Sequence, residues 1–439
     1  MRDYLVIGIV LASLPVGVAN PYYGLLVYSW ISYMNPHMLA WSFAHTFPVG
    51  KLSAGSTLLG AFLRHDWDLT PLKSRENILM VLLFLTFCIS TAFAIYPEEA
   101  WGKLQDVSKV VLMALLTTVL LTDQKRIRYL LLVIAFSLGF YGFKAGLFSV
   151  LTGGQYMVWG PEGSVIGANN NIGLAFNMAL PVFWYMAQEE RGLLRRLLQA
   201  TFFLTIPAIM FTYSRASALT MPIVVIAILF KGGQRVTLLV VILIAALVAV
   251  PLIPAKWWDR QETTVNYEAD YSAMSRLDNW IFLWRMAVDR PLTGGGFEFS
   301  SWDSFMEYAP DFLVKYGKPF NTHNVYLSIL AAHGFLAFFF FMAMIGFTLL
   351  SCRQMKIAVR GRPDLKWISN YSTMIELSFL GWGINGVFVN MEYFDLVYQW
   401  VGIVCAMKVI CNRALSEVEI ENQEFETEDA EMYQAAMTP

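Results

Sequence analysis

Ten long, nearly uninterrupted apolar runs constrain this chain more than any other feature. They lie at about residues 77–95, 105–122, 127–151, 167–187, 197–213, 215–231, 236–254, 323–350, 370–390 and 395–412. A helix needs about 20 predominantly apolar residues to cross the hydrocarbon of a bilayer. Within lipid every backbone polar group must find a partner inside the segment, which a helix provides. The runs therefore predict spanning helices. Charged residues make up only 15% of the chain and hydrophobic ones 57%, whereas a soluble domain carries about 25% charged residues. The first 63 residues are chopped by Pro15, Pro21, Pro36 and Pro48 and read as two kinked spans. The expected fold is an all-α integral membrane protein with about 12 transmembrane helices. Residues 1–255 form the first group of helices, 256–322 a long loop, 323–412 the last helices, and 413–439 an acidic disordered tail.

The charges are segregated, so the net charge of −2 says little about partners, and nothing points to nucleic acid. Lysine and arginine gather in alternate short loops: Arg64, Lys73 and Arg75; Lys125, Arg126 and Arg128; Arg191, Arg195 and Arg196; Lys231 and Arg235; then Arg353, Lys356, Arg360, Arg362 and Lys366. Basic loops face the cytoplasm. Two spans before Arg64 put the N-terminus there too. The apolar start after Arg2 lacks a small-residue cleavage site and reads as a retained first helix. Residues 417–431 carry eight acids and no base, the pattern of a solvated tail. Cys88, Cys352, Cys405 and Cys411 show no metal-ligand or CxxC spacing, so neither a disulfide framework nor a metal site is expected.

The long loop falls on the far side, away from the cytoplasm. Its residues 272–290 read as an amphipathic helix, with Leu277, Trp280, Ile281, Trp284 and Val288 on one face. Helical spacing sets Arg276 and Arg290 beside that face and Arg285 opposite it. A helix lying in the membrane interface with its arginines in water is the plainer reading of the same pattern.

A few residues stand out chemically. Arg215, in Tyr213-Ser214-Arg215, joins two apolar helices on the poorly basic side. A charge so close to hydrocarbon is a functional hypothesis by default, and it is preferred here to the plainer reading of an arginine snorkelling to a lipid phosphate. His323 precedes a spanning helix. Imidazolium is disfavoured at a helix N-terminus, so His323 is expected neutral and able to accept a proton. His333, inside the same helix, reads as packing. Gly294-Gly295-Gly296 offers N–H groups to an anion or simply turns. Asn169-Asn170-Asn171 caps a helix or hydrogen-bonds a sugar. Lys144 pairs with a phosphate or snorkels. Asp66-Trp67-Asp68 has the form of a metal-holding DxD, but it sits on the cytoplasmic side, away from the arginines, and is rejected as the active site. Arginines bind diphosphate through forked, charge-assisted hydrogen bonds. With a neutral histidine as base, they describe glycosyl transfer from a polyprenyl diphosphate.

Tyr213-Ser214-Arg215, Ser275-Arg276 with Trp280, Asp289-Arg290-Pro291-Leu292-Thr293-Gly294-Gly295-Gly296 and His323-Asn324-Val325-Tyr326-Leu327, in this order around a long outer loop, resemble the O-antigen ligase and O-antigen polymerase pattern. The stretch from Asn20 to His37 is similar to a subgroup of O-glycosylation ligases. The resemblance covers about residues 1 to 410. It implies a multi-pass enzyme of the bacterial inner membrane with a periplasmic site. Such an enzyme moves a glycan from undecaprenyl diphosphate to a lipid A-core sugar, by inversion, without metal, nucleotide or cofactor. By motif position, Arg215 and Arg276 bind the diphosphate and stabilise its departing charge, and His323 activates the acceptor hydroxyl. Asn324 orients that histidine. Arg290 and Lys144 are further phosphate candidates, and Arg285, Asn170 and Tyr213 complete the substrate-binding set. Transfer to a protein hydroxyl, or glycan polymerisation, uses the same donor residues. A lipid or polysaccharide transporter is the competing class, but no paired inverted halves are visible and the singular residues gather on one face instead of at the midplane. A purely structural subunit would tolerate neutral substitutions at Arg215 and His323.

Overall fold

Long helices follow the apolar runs. The computed structural model describes residues 1–64, 67–231 and 271–437. The run at 236–254, Arg235, the start of the long loop, and Asp66 of the DxD with the neighbouring His65 lie outside the described residues. Nine helices precede residue 232: α1 (Arg2–Ala19), α2 (Pro21–Met34), α3 (Val49–Leu63), α4 (Arg75–Ala92), α5 (Pro97–Leu120), α6 (Gln124–Leu151), α7 (Asn169–Glu189), α8 (Gly192–Met210) and α9 (Arg215–Lys231). The amphipathic α10 (Tyr271–Asp289) follows, with short α11 (Trp302–Tyr308) and α12 (Pro310–Tyr316), then α13 (Val325–Ala358), α14 (Lys366–Asn385) and α15 (Asp395–Met437). Helix α15 continues across the acidic run that the sequence presents as a disordered tail. Among the described residues five helices are long and apolar enough to cross a membrane: α1, α4, α6, α8 and α13. The protein is a multi-pass, all-helical membrane protein.

Three helices occupy the first 63 residues, where the prolines suggest two spans. Pro21 is the first residue of α2, where its missing N–H is harmless. Asn20 caps that helix by accepting from Tyr22 N. Pro36 begins a short 3-10 turn and Pro48 precedes α3, so three of the four prolines mark boundaries and only Pro15 lies inside a helix. The extra helix moves the N-terminus. Asp3 accepts from Ser42 N at 2.9 Å and Ala44 N at 3.3 Å, which ties the start of α1 to the end of the bundle opposite Arg64.

Helix α7 is enclosed along most of its length, from Ile172 to Ala187, and packs against α8, α9 and α14. Helices α6 and α8 approach closely because α6 presents Gly142 and Gly146, a small-xxx-small pair. A Cβ at Gly146 would sit 1.8 Å from the Leu204 carbonyl oxygen.

The basic turns converge on one end. Arg75 donates to Ser351 Oγ at 3.2 Å. Lys408 and Ser351 both reach the buried Glu76 carboxylate, at 3.2 and 2.5 Å. Arg128 grips Glu190 with two bonds of 2.5 and 2.6 Å. Asp68, the described half of the DxD, accepts from Thr70 N and from Arg413. It therefore closes a local turn at the basic end, far from the conspicuous arginines.

Helix α10 is apolar on two sides. Phe282, Leu283 and Met286 are buried in a second core with Phe299, Phe305, Phe312 and Leu313, with Phe282 stacked on Phe305 at 3.9 Å. The stripe legible in the sequence, Leu277, Ile281, Trp284 and Val288, faces outward and is 40–54% exposed. That is the arrangement of an interfacial helix whose outer stripe meets lipid, while Trp280 turns inward against Phe388.

Candidate active site at the poorly basic end

Helix α13 contains a break at Gly334, whose φ of 80° and ψ of 179° fall in a region reserved for glycine. The break frees two carbonyls and one N–H from the helical ladder. Gly295 N donates to Ala331 O and Gly296 N to Ala332 O, each at 2.8 Å, and Phe335 N donates to Pro291 O at 2.8 Å. The glycine run thus clasps backbone to backbone, and its N–H groups are committed there instead of to an anion. Close approach requires glycine: a Cβ at Gly294 would lie 2.4 Å from Ala331 O. Arg290 completes the clasp, donating from Nε to Gly294 O at 2.6 Å and from Nη2 to Phe93 O. This clasp locks the end of α10 to α13.

A second set of bonds joins α10 to the segment before α13. Asn279 Nδ2 donates to Asn321 O at 2.8 Å. Arg276, one turn earlier on α10, is half-buried. His323 adopts a left-handed φ of 47°. Its pKa is lowered from 6.5 to about 4, by burial first and by the charge of Arg276 second. The imidazole is neutral near pH 7, as the sequence suggests, but for reasons of burial and a neighbouring guanidinium. Asn324 is fully engaged as the cap of α13, its Oδ1 accepting from Leu327 N at 2.9 Å. It orients the helix start that carries His323.

Arg215 opens α9. Tyr213 turns the chain into it with a left-handed φ of 54°, held by its buried hydroxyl donating to Gly154 O at 2.8 Å. Ser214 caps the helix through Ala218 N and Ser217 N. Two residues past Arg215, Ser217 Oγ exchanges hydrogen bonds with the Asn385 amide at 3.2 and 3.4 Å. The next residue, Gly386, accepts from Val325 N at 2.8 Å. The C-terminal end of α14 therefore ties the start of α9 to the start of α13, and Arg215, Arg276 and His323 occupy one end of the bundle. A cation at the first residue of a helix opposes the dipole. The guanidinium at that helix start suits an anion.

The remaining candidates have other surroundings. Arg285 is exposed and donates to Tyr308 O at 2.8 Å. Lys144 is exposed on α6, its ammonium over the Phe140 ring at 5.9 Å. Asn170 is half-buried in the first turn of α7. The expected asparagine cap is not made: the α7 N-cap is Ala168, while Asn169 Nδ2 donates to Thr212 O and Asn171 Nδ2 to Val165 O. These asparagines stitch the neighbouring loops. Asn279, Ser217 and Asn385, which assemble the site, escaped the sequence reading. Their only trace is polarity within otherwise apolar helices.

Comparison with known families agrees with the motif order. Residues 200–342 match the family described as O-antigen ligase, and residues 1–189 match a family of unknown function. No curated protein matches the chain. Arg215, Arg276, Arg290 and His323 all fall inside the ligase match, which covers the second half of α8, then α9 to α12 and the first half of α13. Residues 200–342 are thus similar to the O-antigen ligase family, a likeness that spans about a third of the chain.

Proposed function

We propose that the protein is an O-antigen ligase: a metal-independent, inverting glycosyltransferase of the bacterial inner membrane. It moves a glycan from undecaprenyl diphosphate to a lipid A-core sugar at the periplasmic face. The observation that carries this reading is the gathering of Arg215, Arg276 and a neutral His323 at the end of the bundle opposite the basic turns. The diphosphate binds between the two guanidiniums at the start of α9. The acceptor oxygen attacks the anomeric carbon from the face opposite the diphosphate, and the bond from that carbon to the diphosphate oxygen breaks. The leaving electron pair settles on the diphosphate, where the arginines stabilise it. The acceptor proton passes to His323. Donor charge offsets Arg276, so the imidazole holds a proton more readily once the donor is bound.

The test is transfer in liposomes carrying undecaprenyl-diphosphate glycan, with chelator and no nucleotide, offering lipid A-core, protein and glycan acceptors separately. Glycosylated lipid A from wild type, lost in Arg215→Ala, Arg276→Ala and His323→Ala proteins that remain folded, supports the ligase. Product only with a protein or glycan acceptor replaces it by an oligosaccharyltransferase or a polymerase. Intact donor relocated across the bilayer replaces it by a transporter.

A further inference from the structure

Beside the arginine site lies a cavity of about 670 Å³ whose rim includes Asn321 and Thr322, the two residues before His323. One wall comes from the N-terminal part of the chain, with His37 and Lys51, and from the start of α5, with Lys103, Asp106 and Lys109. The opposite wall is the turn between α14 and α15, with Glu392 and Tyr393, and the 297–300 segment. The ligase match stops at residue 342, so much of this cavity is built by parts of the chain outside it.

Two buried polar atoms in this cavity have no hydrogen-bond partner among the described residues, one on each wall: Oε2 of Glu392 and Nδ1 of His37. Glu392 is only 6% exposed. Its other oxygen accepts from Ser328 Oγ at 2.6 Å, on the first turn of α13, which fixes the carboxyl in place. Burial pushes that carboxyl up to about 7. A buried carboxyl oxygen without a donor is costly, and its natural complement is a hydroxyl. The cations on the wall are already paired. Asp106 takes Lys51 at 3.6 Å and Lys109 at 3.2 Å, and Glu298 takes Lys103 at 3.7 Å. The wall therefore suits an uncharged, hydroxyl-rich ligand better than a phosphate.

We propose that this cavity is the acceptor subsite, that it takes a saccharide, and that Glu392 and His37 hydrogen-bond its hydroxyls. The proposal gives the N-terminal family of unknown function a role: it forms one wall of the pocket that selects the acceptor. It rests on the transferase reading for the word acceptor, though not for the binding of a saccharide.

Two measurements test it on the purified full chain in detergent or liposomes. The first is saturation-transfer NMR with soluble lipid A-core oligosaccharide, which needs no turnover. The second is the acceptor KM at saturating donor. For one hydrogen bond to a charged group, Glu392→Gln should raise the acceptor KM roughly ten- to a hundredfold. The donor KM should stay unchanged, and Glu392→Asp should recover part of the loss. His37→Ala should raise the acceptor KM alone. Saccharide signal lost in Glu392→Gln, in a wild type that transfers nothing, would keep the subsite and remove the transferase. Transfer with an acceptor KM within twofold of wild type in both variants would overturn the subsite and keep the transferase. Saccharide binding unaffected by either substitution, or absent from the wild type, would also overturn it. Binding only of a glycan repeat would keep the subsite and make its acceptor the growing chain. Binding only of a serine- or threonine-bearing peptide would overturn the saccharide assignment.

Discussion

Replacing Gly334 by alanine isolates the clasp that positions α10 against α13. At φ 80° and ψ 179° a side chain is strained by about 1–3 kcal/mol. The new Cβ would lie 2.5 Å from Pro291 O and 2.7 Å from the Leu292 carbonyl carbon, both backbone atoms that cannot swing aside. If the helix straightens to relieve this, it forfeits Phe335 N to Pro291 O, Gly295 N to Ala331 O and Gly296 N to Ala332 O. One of the three is regained within the straightened helix, and each contributes about 1 kcal/mol. A helix that stays bent keeps the strain and one that straightens loses a net two bonds, so the expected destabilisation is roughly 2 kcal/mol. Gly346→Ala is the matched control: it sits in the same helix with nothing within 4 Å of a Cβ and should stabilise by about 0.5–1 kcal/mol. The assay is the temperature at which half of the purified protein in detergent loses its monodisperse gel-filtration peak, read beside transfer activity. Gly334→Ala should melt well below wild type and lose activity, and Gly346→Ala should do neither. Equal melting of Gly334→Ala and wild type would refute the clasp.

Other outcomes follow from single contacts. Arg215→Ala and Arg276→Ala should each lower kcat about 10²–10³-fold, the size of one lost charge-stabilising donor, with melting temperatures within a few degrees of wild type. Gly146→Leu should prevent assembly of α6 on α8, since its first side-chain atom would meet Leu204 O at 1.8 Å; monodisperse, active protein would contradict that packing. The lowered pKa of His323 has a signed consequence. With the unfolded value at 6.5 and the folded one near 4, the unfolded chain takes up the proton first as pH falls. This contribution is complete above pH 6.5 and is lost between 6.5 and 4. Wild type should therefore lose stability across that window, and His323→Asn should lose less, as read by chemical denaturation in detergent at stepped pH.

The long helices were legible because lipid leaves a chain few alternatives, and an uninterrupted apolar run already states its own structure. Proximity of Arg276 to His323 was legible only through motif order. What could not be read was always a question of partner. Gly294, Gly295 and Gly296 look like an anion cradle in isolation. Their N–H groups are taken because Gly334, nearly forty residues on, breaks α13. Arg290 looks like a phosphate ligand until Gly294 O and Phe93 O are seen against its guanidinium. The stripe Leu277-Ile281-Trp284-Val288 marks α10 as amphipathic, but Phe282, Leu283 and Met286 give it a second apolar side, and periodicity does not say which one is covered by protein. The prolines before residue 50 looked like kinks, yet a proline at the first turn of a helix starts it. Glu392, three residues before Asp395 between two apolar helices, went unremarked in the sequence, and only its cavity distinguishes it from an ordinary turn residue.

The electrostatics of the site explain why these groups stay together. Two helices, α9 and α13, begin at this end of the bundle, and the helix start that carries Arg215 already bears a partial positive charge. Burial first, and the neighbouring charge of Arg276 second, displace the imidazole of His323 toward its neutral form. A bound dianion reverses the sign of every one of these interactions at once: it complements the helix start, pairs the guanidiniums and favours a proton on His323. In the proposed transferase the site would bind the donor's charge first and gain proton affinity only after doing so. The neighbouring cavity, with its lysines already paired and one carboxyl oxygen open, has the opposite character and suits an uncharged partner. On that division the residues between 200 and 342 handle the charge of the donor, and the N-terminal helices with the 390–395 turn select what receives the glycan. Substitutions in the first group should therefore change the rate with every acceptor alike, and substitutions in the second should change the ranking of acceptors.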